Sequence, residues 1–264
     1  MKIGIIGLGV VGAANKSGFK KLNHKVYIHD IKKNTKINNL IKTEIIYICV
    51  PTPSNKNGSC NTKYVENVIF QLTKNNYKGI MAIRSTVEPG FTNNMIRKFK
   101  NKRICIVPEF LRERFAKYDF IKNQKLCLVG TNNDEVYKLI VKSHKGLAKN
   151  FKKLTPTEAE LVKYFNNVYA ALKITFANNM YELSTKMKSD YKKIKDTYLL
   201  MGRSKNFYLD VNESLRGYAG MCLPKDVRAI KYYMKKKRMN FNLINQIDLD
   251  NNRLKKTVFR GMRK

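Results

Sequence analysis

The stretch that decides the fold is Lys2-Ile3-Gly4-Ile5-Ile6-Gly7-Leu8-Gly9-Val10-Val11-Gly12-Ala13-Ala14. A run of strand character meets glycines spaced Gly7-x-Gly9-x-x-Gly12, and small or apolar residues then continue at helical spacing. In a strand–turn–helix unit the glycines have separate tasks: the tight turn, close approach of backbone to a pyrophosphate, and close helix–strand packing. The helix that opens there turns unpaired N–H groups and its positive dipole end toward the phosphates. A second strand-like run, KVYIHD, ends in Asp30, near the spacing at which a carboxylate binds a ribose 2′-hydroxyl. An acid there favours NAD over NADP, with Lys32 and Lys33 as the only counter-signal. A glycine turn that binds nothing is the alternative, and it would not require all these parts to agree.

Outward from this unit, apolar runs recur at Lys2–Ile6, Val26–Ile28, Ile45–Val50, Ile80–Ile83, Ile104–Val107 and Leu126–Val129. Most are continuous rather than alternating, as strands buried on both faces of a parallel sheet should be. Segments of helical length lie between them, for example Thr62–Thr73 and Asn133–Val141. The expected fold class is α/β: a Rossmann-like, doubly wound parallel sheet over residues 1–150, followed by a mostly helical second domain over 151–264. Thr155-Pro156-Thr157-Glu158 has the form of a helix start, and the apolar spacing after it, with no breaker, predicts a long helix.

The chain has 264 residues, of which 43% are apolar, enough for one large or two modest cores and incompatible with wholesale disorder. No run is long enough to span a bilayer, and the amino end has no signal-peptide pattern, so a soluble protein is expected. The five cysteines, Cys49, Cys60, Cys105, Cys127 and Cys222, lack metal-ligand spacing, and no metal is expected. Three lie in apolar runs, as small buried hydrophobes do, and a reducing, cytoplasmic setting is the natural reading. With only three histidines, a histidine-dependent triad is disfavoured. Lys plus Arg number 53 against 19 Asp plus Glu, a net charge of +34. Polyanion binding is one reading of that excess. The other is a compositional bias toward Lys, Asn and Ile, which the even spread of lysines favours. Charge concentrates only in KYYMKKKR and in the terminal RLKKTVFRGMRK. No nucleic-acid-binding signature accompanies it, so nucleic acid is not the expected partner.

Four segments stand out as sites. Val50-Pro51-Thr52-Pro53, Arg84-Ser85-Thr86-Val87-Glu88-Pro89-Gly90 and Pro108-Glu109-Phe110-Leu111-Arg112-Glu113 each follow a strand, where open α/β sheets bind ligands. The fourth is Gly217-Tyr218-Ala219-Gly220-Met221-Cys222-Leu223-Pro224-Lys225-Asp226. A thiol just ahead of a helix start and beside a lysine should carry more thiolate than usual, unlike a buried loop cysteine. On the long helix Glu160, Lys163 and Asn167 share one face, and Lys163 and Asn167 present donors suited to an oxyanion; a solvated face is the plainer alternative.

In their order, GLGVVG, VPTP, STVEPG, PEFLRE, EAELVKYFNNVYAALKITFANN and GYAGMCLPKD resemble the UDP-glucose/GDP-mannose dehydrogenase family, from Lys2 to about Arg253. NNVYAALK is more similar to the branch acting on UDP-glucose or GDP-mannose than to the N-acetylmannosamine branch. The resemblance implies a four-electron oxidation of a sugar C6 alcohol to a carboxylate with two NAD, UDP-glucose being the first substrate expected and GDP-mannose the second. It makes Cys222 the nucleophile, Lys163 and Asn167 the oxyanion donors, Asp226 and Thr86 the holders of a water, and Glu109 an aid to thioester hydrolysis. It assigns Gly7, Gly9, Val10, Val11, Gly12, Asp30, Val50, Pro51, Thr52, Thr86 and Glu113 to the cofactor. Glu109, Phe110, Leu111, Glu113, Lys163, Asn167, Tyr218 and Gly220 fall to the nucleotide sugar.

Three departures from the family pattern carry expectations. The chain stops before the family's third, nucleotide-binding domain, which puts substrate affinity in doubt and keeps open a non-catalytic, NAD-binding remnant. Asp30 and VPTP are separated by only the nineteen residues 31–49, where relatives carry a longer insert. Ala219 stands where the family has glycine, at a cost of about 1 kcal/mol if that position needs positive φ. The resemblance also implies a homodimer through the long helix, to which Tyr164, Phe165, Tyr169, Leu172 and Phe176 would supply apolar contacts; packing of these side chains within the subunit is the alternative.

Overall fold

The computed structural model describes residues 1–254 and 256–258; part of the basic stretch 253–264 therefore lies outside the described residues. Strand β1 (Lys2–Ile6) leads into helix α1 (Val10–Lys21) and strand β2 (Lys25–His29). Two short 3-10 turns, Ile31–Lys33 and Ile37–Leu40, fill the abbreviated connection to β3 (Ile45–Ile48). There follow α2 (Lys63–Lys74), β4 (Ile80–Ile83), α3 (Phe91–Lys98), β5 (Ile104–Ile106), α4 (Ala116–Lys122), β6 (Leu126–Gly130), α5 (Asp134–His144) and β7 (Asn150–Leu154). The long helix α6 (Pro156–Lys186) precedes α7 (Tyr191–Leu200), α8 (Leu223–Lys236) and α9 (Asn242–Arg253).

All seven strands form one sheet in the order β2-β1-β3-β4-β5-β6-β7. Strands β1 to β5 are mutually parallel, in a register that aligns Ile6 with His29 and Ile48, Ile48 with Ile83, and Ile83 with Ile106. Their carboxyl ends therefore share one edge. The order reverses at β1, so the crevice between β1 and β3 is the topological switch point at which such sheets bind ligands.

Alternate residues of each strand enter cores on opposite faces. Ile3, Ile5, Ile45, Tyr47, Ile80, Ala82 and Cys105 pack with α1, α4 and α5 through Phe19, Phe120 and Ile140. Ile6, Ile46, Ile48, Met81, Ile83, Ile104 and Ile106 pack with α2 and α3 through Ile69, Leu72 and Met95. Burial on both faces explains why these strands read as unbroken apolar runs. Burial also pushes the thiols of Cys49 and Cys127 up to about 12 and raises that of Cys105.

The sheet departs from the expected all-parallel form at one edge. Strand β6 meets β5 antiparallel at Ile106 and Gly130, and β7 runs parallel to β6. Gly130 permits the approach: a Cβ there would lie 2.5 Å from Ile106 Cγ2 and 2.6 Å from Ala159 Cβ. Strand β7, NFKKL, has no counterpart among the expected strands. It is an edge strand whose lysines break the apolar signal, a common protection of sheet edges.

The chain divides into two compact units, one of residues 1–53 and 60–163, the other of 54–59 and 164 onward. The expected boundary at 150/151 differs because β7 completes the sheet and Ala159, early in α6, belongs to a sheet core. Helix α6 begins with a capping box: Thr155 Oγ1 accepts the Glu158 N–H, and the Glu158 carboxylate accepts from the Thr155 N–H at 2.8 Å and from its hydroxyl. In the second unit, Ala171 of α6, Tyr218, Val227 and Ile247 form one small core. Ala177, Tyr191, Leu209 and Val211 form another.

Candidate active site

In the first unit the fingerprint glycines differ in what surrounds them. Gly7 has φ +88°, and a Cβ there would lie 2.8 Å from the Cys49 carbonyl oxygen; at Gly12 it would lie 1.9 Å from the Gly7 carbonyl oxygen. Both are closed against protein. At Gly9 a Cβ would meet nothing within 4 Å, so the space in front of it is open. Gly9 caps α1 without a side-chain hydrogen bond, and no acid lies in the first turn that Val10 and Val11 begin. That leaves N–H groups directed into the open space, as a phosphate requires.

Asp30 directly follows β2, beside this turn, and caps the 3-10 turn Ile31–Lys33. Its carboxylate accepts from the Leu8 N–H at 2.6 Å and the Lys32 N–H at 2.8 Å, and the Leu8 bond leads in holding it below the usual carboxylate range. Each oxygen keeps a second lone pair, which suits a pair of ribose hydroxyls. On the other side of the switch point, Ser85 Oγ donates to the Val50 carbonyl at 2.6 Å, and Thr52 is buried.

Further along the same edge, Thr86, Glu109, Glu160 and Lys163 line one hollow with Arg84, Ser85 and Pro108. The Lys163 ammonium donates to the Glu109 carbonyl at 2.7 Å, lies 3.4 Å from the Glu109 carboxylate, and sits 5.7 Å from the centre of the Phe110 ring. Glu109 also accepts from the Leu111 N–H at 2.7 Å. Glu113 is exposed, at the start of a 3-10 turn. The preceding Arg112 pairs bidentately with Asp119, donating from Nε and one Nη, and is the main cause of the lowered Asp119 pKa.

In the second unit Cys222 is exposed and occupies the N-cap of α8, with Pro224 in the first turn. The Asp226 N–H donates to the Cys222 carbonyl at 2.9 Å. The Asp226 side chain is fully buried; it accepts from the Asn167 amide at 2.6 Å and from the Lys225 ammonium at 2.6 Å. Lys225 is thus held by Asp226. Gly217 and Gly220 have φ of +68° and +83°, and Ala219 is not among the positive-φ residues, so the strain considered for an alanine there does not arise. Tyr218 departs from its expected place on a sugar pocket. Its ring is buried in the core of this unit, its hydroxyl donates to the Ile247 carbonyl, and Asn251 clasps its backbone from both sides. Among the described residues no cluster of three metal-ligating side chains occurs.

Sequence reasoning gave Glu160 no role beyond its spacing, although that spacing from Lys163 was its signal. Arg84 opens the second of the expected site segments but had no role of its own; it is buried and bonded to Asn15, the Val107 carbonyl and His144. Nothing in the sequence links those four positions.

A doubly wound sheet with an uncapped helix and an open glycine at its switch point defines a dinucleotide-binding α/β protein. The sequence profile of the UDP-glucose/GDP-mannose dehydrogenase family's NAD binding domain matches residues 32–148, and that of its central domain matches 157–253. The chain belongs to the UDP-glucose/GDP-mannose dehydrogenase family. The cofactor of its first half is NAD, which the open Gly9, the uncapped α1 and Asp30 all fit.

A UDP-glucose 6-dehydrogenase of Rickettsia bellii is 32% identical over 216 residues, covering 79% of this chain and 49% of the relative. The GDP-mannose 6-dehydrogenase of Pseudomonas aeruginosa is 30% identical over 209 residues, 73% of this chain and 47% of the relative. The chain thus spans about half the length of these curated relatives. A UDP-glucose dehydrogenase structure from Pyrobaculum islandicum superposes with a TM-score of 0.87 at 23% identity, over 95% of this chain and 68% of the other, which establishes the shared fold.

Proposed function

We propose that the chain oxidises the C6 alcohol of a nucleotide sugar to the carboxylate, with UDP-glucose going to UDP-glucuronate. The observation that carries this is Cys222, exposed at the head of α8 and followed one turn later by the buried, hydrogen-bonded Asp226–Asn167 pair. An exposed cysteine at a helix N-terminus suits a nucleophile. When bound, NAD accepts an electron pair in each of the two oxidations, so one alcohol and one water give one carboxylate, two NADH and three protons.

The chain's own groups do the rest. The Cys222 sulfur adds to the C6 aldehyde, forming a C–S bond and a thiohemiacetal alkoxide, which Lys163 and Asn167 stabilise by donation. Removal of the second electron pair leaves a thioester. Water, held by Asp226 and Thr86, then attacks its carbonyl carbon with the aid of Glu109; the C–S bond breaks and the thiol is regenerated. GDP-mannose is the second substrate to consider, supported by the similarity to the Pseudomonas enzyme.

The test follows NADH absorbance with NAD and either sugar, for the chain and for Cys222→Ala. Steady NADH production that the variant loses supports the reading. NAD binding without NADH from either sugar would reduce the chain to a cofactor-binding member of its family.

A homodimer goes with this reading. Phe165, Tyr169 and Phe176 are 76%, 52% and 59% exposed along α6. Tyr164 and Leu172, expected in the same surface, instead face inward: Tyr164 is buried and Leu172 packs on the core of the second unit. A cytoplasmic setting also fits, supported by five cysteines of which none is in a disulfide. Among the described residues no helix is long and apolar enough to cross a membrane.

A further inference from the structure

Glu160 lies near the start of α6, three residues before Lys163, and is 1% exposed. Its two carboxylate oxygens each accept one backbone N–H, Oε2 from Gly90 at 2.5 Å and Oε1 from Thr92 at 2.8 Å. Both donors belong to the opening of α3, whose own cap, Gly90, has φ +89° and no side chain to offer. Glu160 is therefore the cap of α3, delivered from a different helix. A buried carboxylate suits this place, because it meets the positive end of the α3 dipole and satisfies two N–H groups that would otherwise be orphaned.

What it caps is the turn that carries Thr86. That turn leaves β4 at Arg84 and reaches α3 at Gly90. Its near end is tied to the β3 end through Ser85 and the Val50 carbonyl. Its far end is tied to α6 by Glu160 through the Gly90 and Thr92 N–H groups, and by Thr157, whose hydroxyl accepts from the Asn93 amide at 3.1 Å. One turn further along α6, Lys163 holds the Glu109 loop through the Glu109 carbonyl. A single stretch of helix thus grips both strand-end loops, and Thr86, Glu109, Glu160 and Lys163 border the same hollow.

We infer that Glu160 is a positioning residue that fixes the Thr86 turn against Lys163 and Glu109. Its consequence for turnover rests on the dehydrogenase reading above; the mechanical coupling does not. The carboxylate is specifically required. Glutamine keeps the shape but puts an NH2 donor against a backbone N–H, losing one bond and opposing two donors. Aspartate keeps both acceptors and falls one methylene short.

The experiment joins kinetics with hydrogen exchange on the full chain. Glu160→Gln should lower kcat roughly 10- to 100-fold, with KM for UDP-glucose and for NAD changed by no more than about twofold, as for a misplaced catalytic group. Glu160→Asp should recover part of kcat, and it provides the same readout if the glutamine variant fails to fold. Deuterium uptake should rise in peptides covering 84–92 and also in those covering 107–112. Uptake confined to 88–92 with kcat unchanged would make Glu160 a local helix cap and overturn the inference. A rise throughout the chain, with kcat and KM altered together, would overturn it as general destabilisation. If the unsubstituted chain makes no NADH, the dehydrogenase reading fails, and the paired or unpaired rise at 84–92 and 107–112 still decides the coupling.

Discussion

Gly9 and Gly12 stand three residues apart and answer to different constraints. Gly12 is fixed by the protein, since a Cβ would stand 1.9 Å from the Gly7 carbonyl oxygen. Gly9 has open space in front of it and φ −65°, which alanine adopts freely. Two substitutions separate folding from binding. Gly12→Ala should cost about 3 kcal/mol of stability through overpacking against backbone, read by denaturant titration. Gly9→Ala should leave that stability unchanged and weaken NAD binding about tenfold or more by holding the pyrophosphate off the helix, read by titration calorimetry. Equal loss of stability in both would show that Gly9 is held by packing after all. The spacing of these glycines and their division of tasks were legible in the chain; the structure adds what closes two of them, the Cys49 carbonyl against Gly7 and the Gly7 carbonyl against Gly12.

At the scale of the element, the junction of α5 with the sheet carries a pH dependence that no motif announced. His144, the last residue of α5, is fully buried among Phe19, Tyr47 and Phe120. Arg84 donates toward its Nε2, and its Nδ1–H faces the Ile140 carbonyl at 3.1 Å. Burial first, and then the Arg84 charge, hold its pKa well below the ordinary value. The unfolded chain takes up a proton near pH 6.5 that the folded chain refuses, so this contribution to stability is complete above that pH. It is lost as pH falls from about 6.5 toward the folded pKa, at roughly 1 kcal/mol per pH unit for one proton. His24 is lowered in the same direction, mainly by burial. The melting temperature should therefore drop between pH 7.5 and 5.5, and His144→Gln should flatten that slope while lowering the starting value. An unchanged slope in the variant would mean that His144 is not the titrating group. In the sequence His144 is followed by Lys145 and carries no core signal; contacts with Phe19 of α1, Tyr47 of β3, Arg84 after β4 and Phe120 of α4 make it a core residue.

Across the whole molecule the exposed aromatic stripe of α6 makes the oligomeric state the informative quantity. Phe165 and Tyr169 lie with ring centres 6.1 Å apart, and Phe176 follows on the same helix. Light scattering after size exclusion should give twice the chain mass, and Phe165→Asp with Phe176→Asp should give the single-chain mass with little change in melting temperature. A monomer for the unsubstituted chain would reassign the stripe to some other contact. The excess of 34 positive charges opposes close association of two copies, so the dimer should tighten as salt screens it.

The sequence by itself determined the parts that depend on local spacing. The Gly7–Gly12 turn, the acid directly after β2, the capping box at Thr155 and the cysteine ahead of α8 each follow from steric and hydrogen-bonding rules acting over a few residues. Continuous apolar runs likewise told that β1, β3, β4 and β5 are buried on both faces, whereas β2, at the sheet edge, is only partly covered. Tertiary structure alone decided the rest. The reversal of β6 against β5 needs Gly130 to meet Ile106 and Ala159, and β7 is a strand only because β6 offers it an edge. Tyr218 is a core residue because α6, α8 and α9 close around it. Glu160 is a cap because α3 begins where its carboxylate reaches, some seventy residues away along the chain. These outcomes rest on contacts between distant segments, whose energies depend on the neighbours that the fold supplies and leave no periodicity in the sequence to read.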